Sequence, residues 1–283
     1  MIEQTHGMRV RFCGVRGSTS APGAEFVRYG GHTSCVALAH DGARPTLVLD
    51  AGTGLRNLTQ HLDGHPFRGT ILLGHLHWDH THGLPFFAGG VRPESEVTVV
   101  IPAQGDPEEV MERAFSPPHF PVTPTQLGGK WQVTSCEEGA FDVEGFHVLA
   151  AEIPHKGGRT FGFRVSDGSA TVAYLSDHSP IGAGPGPDGL GAYHRAAMAL
   201  AEGADVLIHD AQHTAAEFPA VSHFGHAAIE YAIGLAEAAG VRTLVLYHHD
   251  PSRTDDRLDA LVAAHQGGRV EVVGAAEGLV LDR

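Results

Sequence analysis

Cysteine is scarce in this chain. Cys13, Cys35 and Cys136 are the only three among 283 residues, and they form no C-x-x-C pair. A scattered, odd set supplies no disulfide framework. It fits reduced thiols in a cytoplasmic protein, each filling a small core position. Cations are scarce too: 19 Lys and Arg stand against 33 Asp and Glu, giving a net charge of −14 with histidine neutral, and the cations form no cluster. That excludes a broad electrostatic grip on nucleic acid, which needs a basic patch. No stretch approaches the roughly 20 apolar residues that span a bilayer, so no membrane partner is expected. The segment Met1 to Arg11 lacks the apolar core of a signal peptide. Met8 is a candidate natural start, with Met1 to Gly7 as an extension.

Histidine is plentiful, with 21 in the chain. Residues 74 to 83 read Gly-His-Leu-His-Trp-Asp-His-Thr-His-Gly, directly after the apolar run Thr70-Ile71-Leu72-Leu73. The run reads as a buried strand ending where the histidines begin. On an extended backbone His75 and His77 project to one side, while Asp79 and His80 follow where the chain turns and can aim at a second point. Imidazole and carboxylate ligands around two nearby points suit a pair of divalent ions, with zinc the first choice and manganese or iron as options. The arrangement His-x-His-x-Asp-His resembles the signature of the metallo-β-lactamase superfamily. That fold hosts many chemistries, so the motif is specific for fold and metal and weak on substrate.

Strand-like runs recur at Met8 to Cys13, Ser34 to Ala39, Thr46 to Leu49, Thr70 to Leu73, Val97 to Ile101, Phe146 to Ile153, Thr160 to Val165 and Thr171 to Leu175. Others lie at Val206 to Ile208, Thr243 to Leu246, Val270 to Val273 and Gly278 to Leu281. Helical patterns occupy Leu55 to Leu62, Pro107 to Phe115, Tyr193 to Ala201, Ala227 to Ala239 and Thr254 to Gln266. Strand meanders with interleaved helices predict an α+β protein, two sheets face to face with helices outside. The resemblance implies the same: a four-layer αββα sandwich. No linker or repeat is evident, so residues 1–283 are expected to form one domain. The segment at about 104–130, irregular beyond Ser116, holds only Arg113 and Lys130 as cations and is expected to be a lid over a small substrate.

Three later segments place ligand types after apolar runs: Glu152-Ile153-Pro154-His155, Ala173-Tyr174-Leu175-Ser176-Asp177 and Leu244-Val245-Leu246-Tyr247-His248-His249. The resemblance assigns them roles. His75, His77 and His155 would hold one ion, and Asp79, His80 and His248 the other, with Asp177 bridging. His249 is the substitute for His248; Asp205 and Asp210 are rivals to Asp177, which is favoured because it follows the Thr171 to Leu175 strand. Asp50 would support a metal-binding histidine, and Thr81 and His82 would lie just outside the ligands.

Ser222-His223-Phe224-Gly225-His226-Ala227 resembles the histidine loop of the phosphodiesterase branch, which includes phosphoribosyl cyclic phosphodiesterases, cyclic-nucleotide phosphodiesterases and tRNA 3′-processing endonucleases. The family more often has Gly-His-Ser-Thr, so Ala227 and Ala228 lose two hydroxyls. Gly14 to Thr19, Tyr29 to Cys35 and Leu49 to Leu55 resemble a related bacterial group of metallo-hydrolases, which usually has Asn at the place of His32. The implied enzyme is a binuclear hydrolase of a small, anionic phosphodiester, cyclic phosphate or cyclic nucleotide. Hydroxide generated by the metal pair would attack, Asp79 or Asp177 would orient it, and His226 would protonate the leaving group or bind phosphate. Nucleic acid is not expected as a partner except as a nucleotide substrate, and a homodimer is a weak family expectation. The alternatives are a carbonyl-ester hydrolase (lactonase, thioesterase or β-lactamase-like) and, less favoured, an RNA-processing endonuclease.

Overall fold

The structure, a computed structural model, describes residues 7–283. Apart from Gly7, the Met1 to Gly7 extension lies outside them. Fourteen strands occur among the described residues. The first seven are β1 (Met8–Gly14), β2 (Cys35–His40), β3 (Leu47–Leu49), β4 (Arg68–Leu72), β5 (Glu96–Pro102), β6 (Lys130–Cys136) and β7 (Gly139–Val143). The rest are β8 (Phe146–Glu152), β9 (Phe161–Ser166), β10 (Thr171–Leu175), β11 (Val206–Asp210), β12 (Thr243–Tyr247), β13 (Glu271–Gly274) and β14 (Val280–Asp282). They form two seven-stranded mixed sheets, ordered β14-β1-β2-β3-β4-β5-β6 and β13-β12-β11-β10-β9-β8-β7. The chain crosses from one sheet to the other at the β6–β7 edge.

The sheets face each other across a core built from alternate residues of each strand, among them Val10, Phe12, Val36 and Leu38 from one sheet and Val148, Phe163, Val165 and Val172 from the other. This period-two pattern is the one a strand buried on one face requires. The outer faces are also covered. On the first sheet Leu55, Leu58 and Met111 pack under α1 (Leu55–Leu58) and near α3 (Pro107–Glu112). On the second, α4 (Arg195–Ala201) and α6 (Ile229–Ala238) bury Ala197, Leu200, Tyr231 and Leu235. The remaining helices are α2 (Trp78–Thr81), α5 (Phe218–Val221) and α7 (Asp255–Ala264). With apolar side chains on both faces of both sheets, the result is the αββα sandwich expected from the sequence. No helix among the described residues is long and apolar enough to cross a membrane.

Each sheet contains one run of parallel strands: β3, β4, β5 and β6 in the first, and β10, β11, β12 and β13 in the second. Chain leaving the carboxyl ends of parallel strands gathers on one rim, where open α/β sheets bind their ligands.

Candidate metal centre

Most of the predicted site residues leave a strand on that rim, while His226 lies in the loop before α6. Asp50 follows β3, His75 and His77 follow β4, Asp177 follows β10, Asp210 ends β11 and His248 follows β12. His155 lies in the β8–β9 connection. His77 is the extended residue that precedes α2, and Asp79 and His80 lie in the turn of helix that follows it. Asp50 and His248 hold positive φ angles of 61° and 58°, a rare backbone state for residues with a Cβ. Gly17 packs against His248 so closely that a Cβ there would come within 2.3 Å of its Nδ1. Only glycine fits.

The side chains converge in two sets. His75, His77, His155 and Asp177 present ligand atoms that all lie within 4.8 Å of one another, and so do Asp79, His80, Asp177 and His248. Asp177 belongs to both. Its Oδ2 is 3.6 Å from His75 Nε2 and 3.5 Å from His155 Nε2, while its Oδ1 is 2.9 Å from His80 Nε2 and 3.1 Å from His248 Nε2. One carboxylate oxygen thus faces each set. Asp205 is at the far end of β11, bonded to the Thr171 amide at 2.9 Å and to Arg242 at 3.0 Å. His249 turns away and bonds the Ala275 carbonyl at 2.8 Å.

The imidazoles are oriented from behind. Asp50 Oδ2 accepts from His80 Nδ1 at 2.7 Å, from the Tyr174 hydroxyl at 2.7 Å and from Ser176 Oγ at 3.0 Å, while its Oδ1 accepts from the Gly74 amide at 2.7 Å. Gln212 Oε1 holds His248 Nδ1 at 2.9 Å, and the Gly225 carbonyl holds His155 Nδ1 at 2.8 Å. These partners leave each Nε2 free to face the cluster. The Ser18 amide donates to Asp79 Oδ2 at 2.6 Å.

The electrostatics suit a cation. Burial pushes the imidazolium forms of His75, His77 and His155 down, which keeps the rings neutral and their lone pairs available. Burial also opposes charge on His80, but Asp79, Asp177 and Asp50 override it and favour positive charge there. For Asp79 and Asp177 burial opposes ionisation, and the surrounding histidines nevertheless hold both carboxyls well below the usual range. Both nitrogens of His75, Nε2 of His80 and Oδ1 of Asp177 are buried with no hydrogen-bond partner. His80 Nε2 and Asp177 Oδ1 are 2.9 Å apart yet do not meet hydrogen-bond geometry. Orphaned polar atoms of this kind are costly unless something else binds them. A pair of divalent ions fits the donor set.

A family model for the Beta-lactamase superfamily domain matches residues 46–249. The chain belongs to the metallo-β-lactamase superfamily. Ribonuclease Z of Geobacillus kaustophilus is 28% identical over 257 residues, covering 77% of this chain and 82% of that one. The fold is shared with YhfI from Bacillus subtilis, described as a metallo-β-lactamase fold protein (TM-score 0.71, 19% identity, 98% of this chain and 100% of that one). It is shared as well with a diphosphatase from the PhnP family (TM-score 0.67, 18% identity, 97% of each chain). The chain is a metal-dependent hydrolase of this superfamily, consistent with its phosphodiesterase branch.

Within this superfamily member, His226 stands beside the cluster. Its Nδ1 is 3.0 Å from Asp210 Oδ2 and 3.7 Å from Asp177 Oδ2. Burial opposes its charge, but Asp210 outweighs it and the group is pushed up to about 9. Asp210 is the residue that sequence reasoning undervalues. It follows an apolar run as the ligands do, but the sequence offers it only as a rival to Asp177. Sequence reasoning misses Gln212 and Ser18: one acts through another side chain and the other through a backbone amide. A cavity of about 670 Å³ opens over the centre, lined by His77, Asp79, His155, Asp177 and His226 with Trp78, His213 and Phe224. His82 instead lines an adjacent cavity of about 1020 Å³ with Phe26, His32 and Phe86, and stacks on Trp78 at 5.5 Å. Thr81 is buried, with its hydroxyl bonded to the His77 carbonyl at 3.1 Å.

Proposed function

We propose that this protein is a binuclear phosphodiesterase acting on a small, anionic phosphodiester such as a cyclic phosphate or cyclic nucleotide. The observation that carries it is His226, backed by the buried Asp210 and set against the shared carboxylate of Asp177 in one cavity. His75, His77 and His155 would hold one ion, Asp79, His80 and His248 the other, and Asp177 both. Nitrogen-rich sets of this kind suit zinc better than magnesium or calcium. Bound there, two divalent ions supply Lewis acidity and a water of lowered pKa.

The chain's own groups account for the rest. Asp50, Gln212 and the Gly225 carbonyl fix the imidazoles before substrate arrives, so little reorganisation is needed. Hydrolysis breaks one P–O ester bond and leaves an alkoxide that must take a proton. His226 Nδ1 is tied to Asp210, so its Nε2 is the atom free to give that proton or to bind a phosphate oxygen. The name ribonuclease Z favours RNA as a second reading. The charge speaks against it: Lys130 and Lys156 are the only lysines, and the net charge is −14. A long polyanion needs a row of cations that this surface lacks.

Metal analysis of the purified protein, paired with hydrolysis of bis(p-nitrophenyl) phosphate and cyclic nucleotides, tests the reading. About two ions per chain with metal-dependent phosphodiester turnover is the expected result. Two ions with turnover of lactones or thioesters only would overturn it in favour of a carbonyl-ester hydrolase, and turnover of precursor tRNA alone in favour of the nuclease.

A further inference from the structure

Three histidines outside the two ligand sets stand in a row in the core of the second sheet. His178 and His209 are fully buried, and His194 is half-buried at the N-terminal cap of α4. Tyr231 of α6 packs on both buried rings, at centroid distances of 5.6 Å and 5.8 Å. His194 Nε2 is 2.7 Å from His178 Nε2, and His178 Nδ1 is 3.0 Å from His209 Nε2. Backbone closes both ends of the row. The Ala197 amide reaches His194 Nδ1 at 3.5 Å, and His209 Nδ1 lies 2.7 Å from the Asp210 carbonyl.

These two ends fix every proton between them. A carbonyl only accepts, so His209 Nδ1 carries the hydrogen; an amide only donates, so His194 Nδ1 is bare. A neutral imidazole has one N–H and one bare nitrogen, and counting from either end then gives the same answer. His194 donates from Nε2 to His178, His178 donates from Nδ1 to His209, and His209 donates from Nδ1 to the Asp210 carbonyl. All the bonds point one way, and an added proton would set two donors against each other. The row ends on the residue behind His226. The carboxylate of Asp210 is held as well, with the His178 amide donating to Oδ2 at 3.1 Å and the Gln212 amide to Oδ1 at 3.0 Å. A buried polar network with every member satisfied fixes one arrangement, and a gap in it releases the rest.

We propose that His194, His178 and His209 are positioning residues that hold Asp210 and, through it, aim His226 Nε2 at the oxygen of the leaving group. The kinetic consequence rests on the phosphodiesterase reading of the centre; the directions of the hydrogen bonds do not. His194 is the place to cut the row, because two further rings separate it from Asp210. H194A removes the donor to His178 Nε2 and leaves a buried acceptor unpaired. H194Q returns an N–H donor on a side chain of similar reach. A group that only aims a proton donor acts on the chemical step, so the effect belongs in kcat rather than KM.

The test has two arms on the zinc-loaded full chain. Long-range nitrogen–proton NMR correlations of isotope-labelled histidines should show His178 and His209 protonated at Nδ1 and His194 at Nε2; any other pattern overturns the proposal. In the kinetic arm, H194A should lose about tenfold in kcat on adenosine 2′,3′-cyclic phosphate, whose leaving alkoxide needs a proton, with KM and zinc content unchanged. Bis(p-nitrophenyl) phosphate should be hydrolysed at nearly the wild-type rate, and H194Q should restore most of the loss on the cyclic phosphate. A cyclic-phosphate rate unchanged in H194A, equal losses on both substrates, or no rescue by H194Q overturns the positioning role alone. No turnover of either substrate by wild type removes the phosphodiesterase reading, and the positioning role with it.

Discussion

At the scale of single residues, His226 is the group whose role separates best from the metal ligands. It belongs to neither four-residue set, though with Asp210 it lies within ligand distance of His248, and Asp210 holds it from behind at 3.0 Å. An H226A variant should therefore keep its metal content. Turnover of a substrate with an alkyl leaving group should fall about 10²- to 10⁴-fold, the usual worth of a general acid. Bis(p-nitrophenyl) phosphate should lose far less, because nitrophenolate departs without a proton. Equal losses on both substrates would make His226 a phosphate-binding group instead. The ligand candidates were legible because each follows an apolar run, where a buried strand meets the rim. Asp210 follows such a run too, but its duty comes from lying beside His226, a residue 16 positions away. Neither Gln212 behind His248 nor the Ser18 amide behind Asp79 has a sequence signature at all. The partners of a ligand were readable only for Asp50, where the resemblance supplied them.

At the scale of elements, every strand was legible except β6 and β7, which form one edge of each sheet. β6 and β7 bury few side chains and alternate mostly between half-buried and exposed positions, so their sequences carry little apolar pattern. Pairing with β5 and β8 makes them strands, and that is a tertiary cause. The four-residue α2 was likewise readable only as a turn. The helical connections show a different dependence, on ion pairs. Glu217, just before α5, accepts from Arg253 Nη2 at 2.9 Å and from the Thr214 amide at 2.8 Å. Arg253 in turn donates to the Gln212 carbonyl at 2.9 Å, so this pair braces the residue that holds His248. Burial opposes ionisation of Glu217, yet Arg253 and Thr214 pull its carboxyl from the ordinary 4.5 down to about 2. A depressed folded-state value means stability that is present above pH 4.5 and is lost as pH falls from 4.5 toward 2. The E217Q variant should show a shallower loss across that window in urea melts at stepped pH. A profile parallel to wild type would mean the pair does not brace the loop.

At the scale of the whole molecule, the centre joins the two sheets. His75, His77, Asp79 and His80 hang from the first sheet, while His155, Asp177 and His248 hang from the second. Nothing in the bulk composition announces this, because net charge and apolar fraction describe a surface and a core rather than their seam. Ions bound between the sheets would stabilise only the folded state, by about 4 kcal/mol per site at a thousandfold excess over Kd. For a chain of this size each kcal/mol moves the melting temperature by roughly 2–4 °C. With both sites filled, stripping the metal should therefore lower Tm by on the order of 20 °C, and zinc should restore it. The location adds a sharper expectation. H77A removes a ligand of one ion and H248A a ligand of the other, and either alone should erase about half of the zinc-dependent shift while the metal-free melting temperature stays near that of the stripped wild type. A zinc shift of full size in both variants would mean that neither residue holds an ion, and the seam between the sheets would then owe its strength to the apolar core alone.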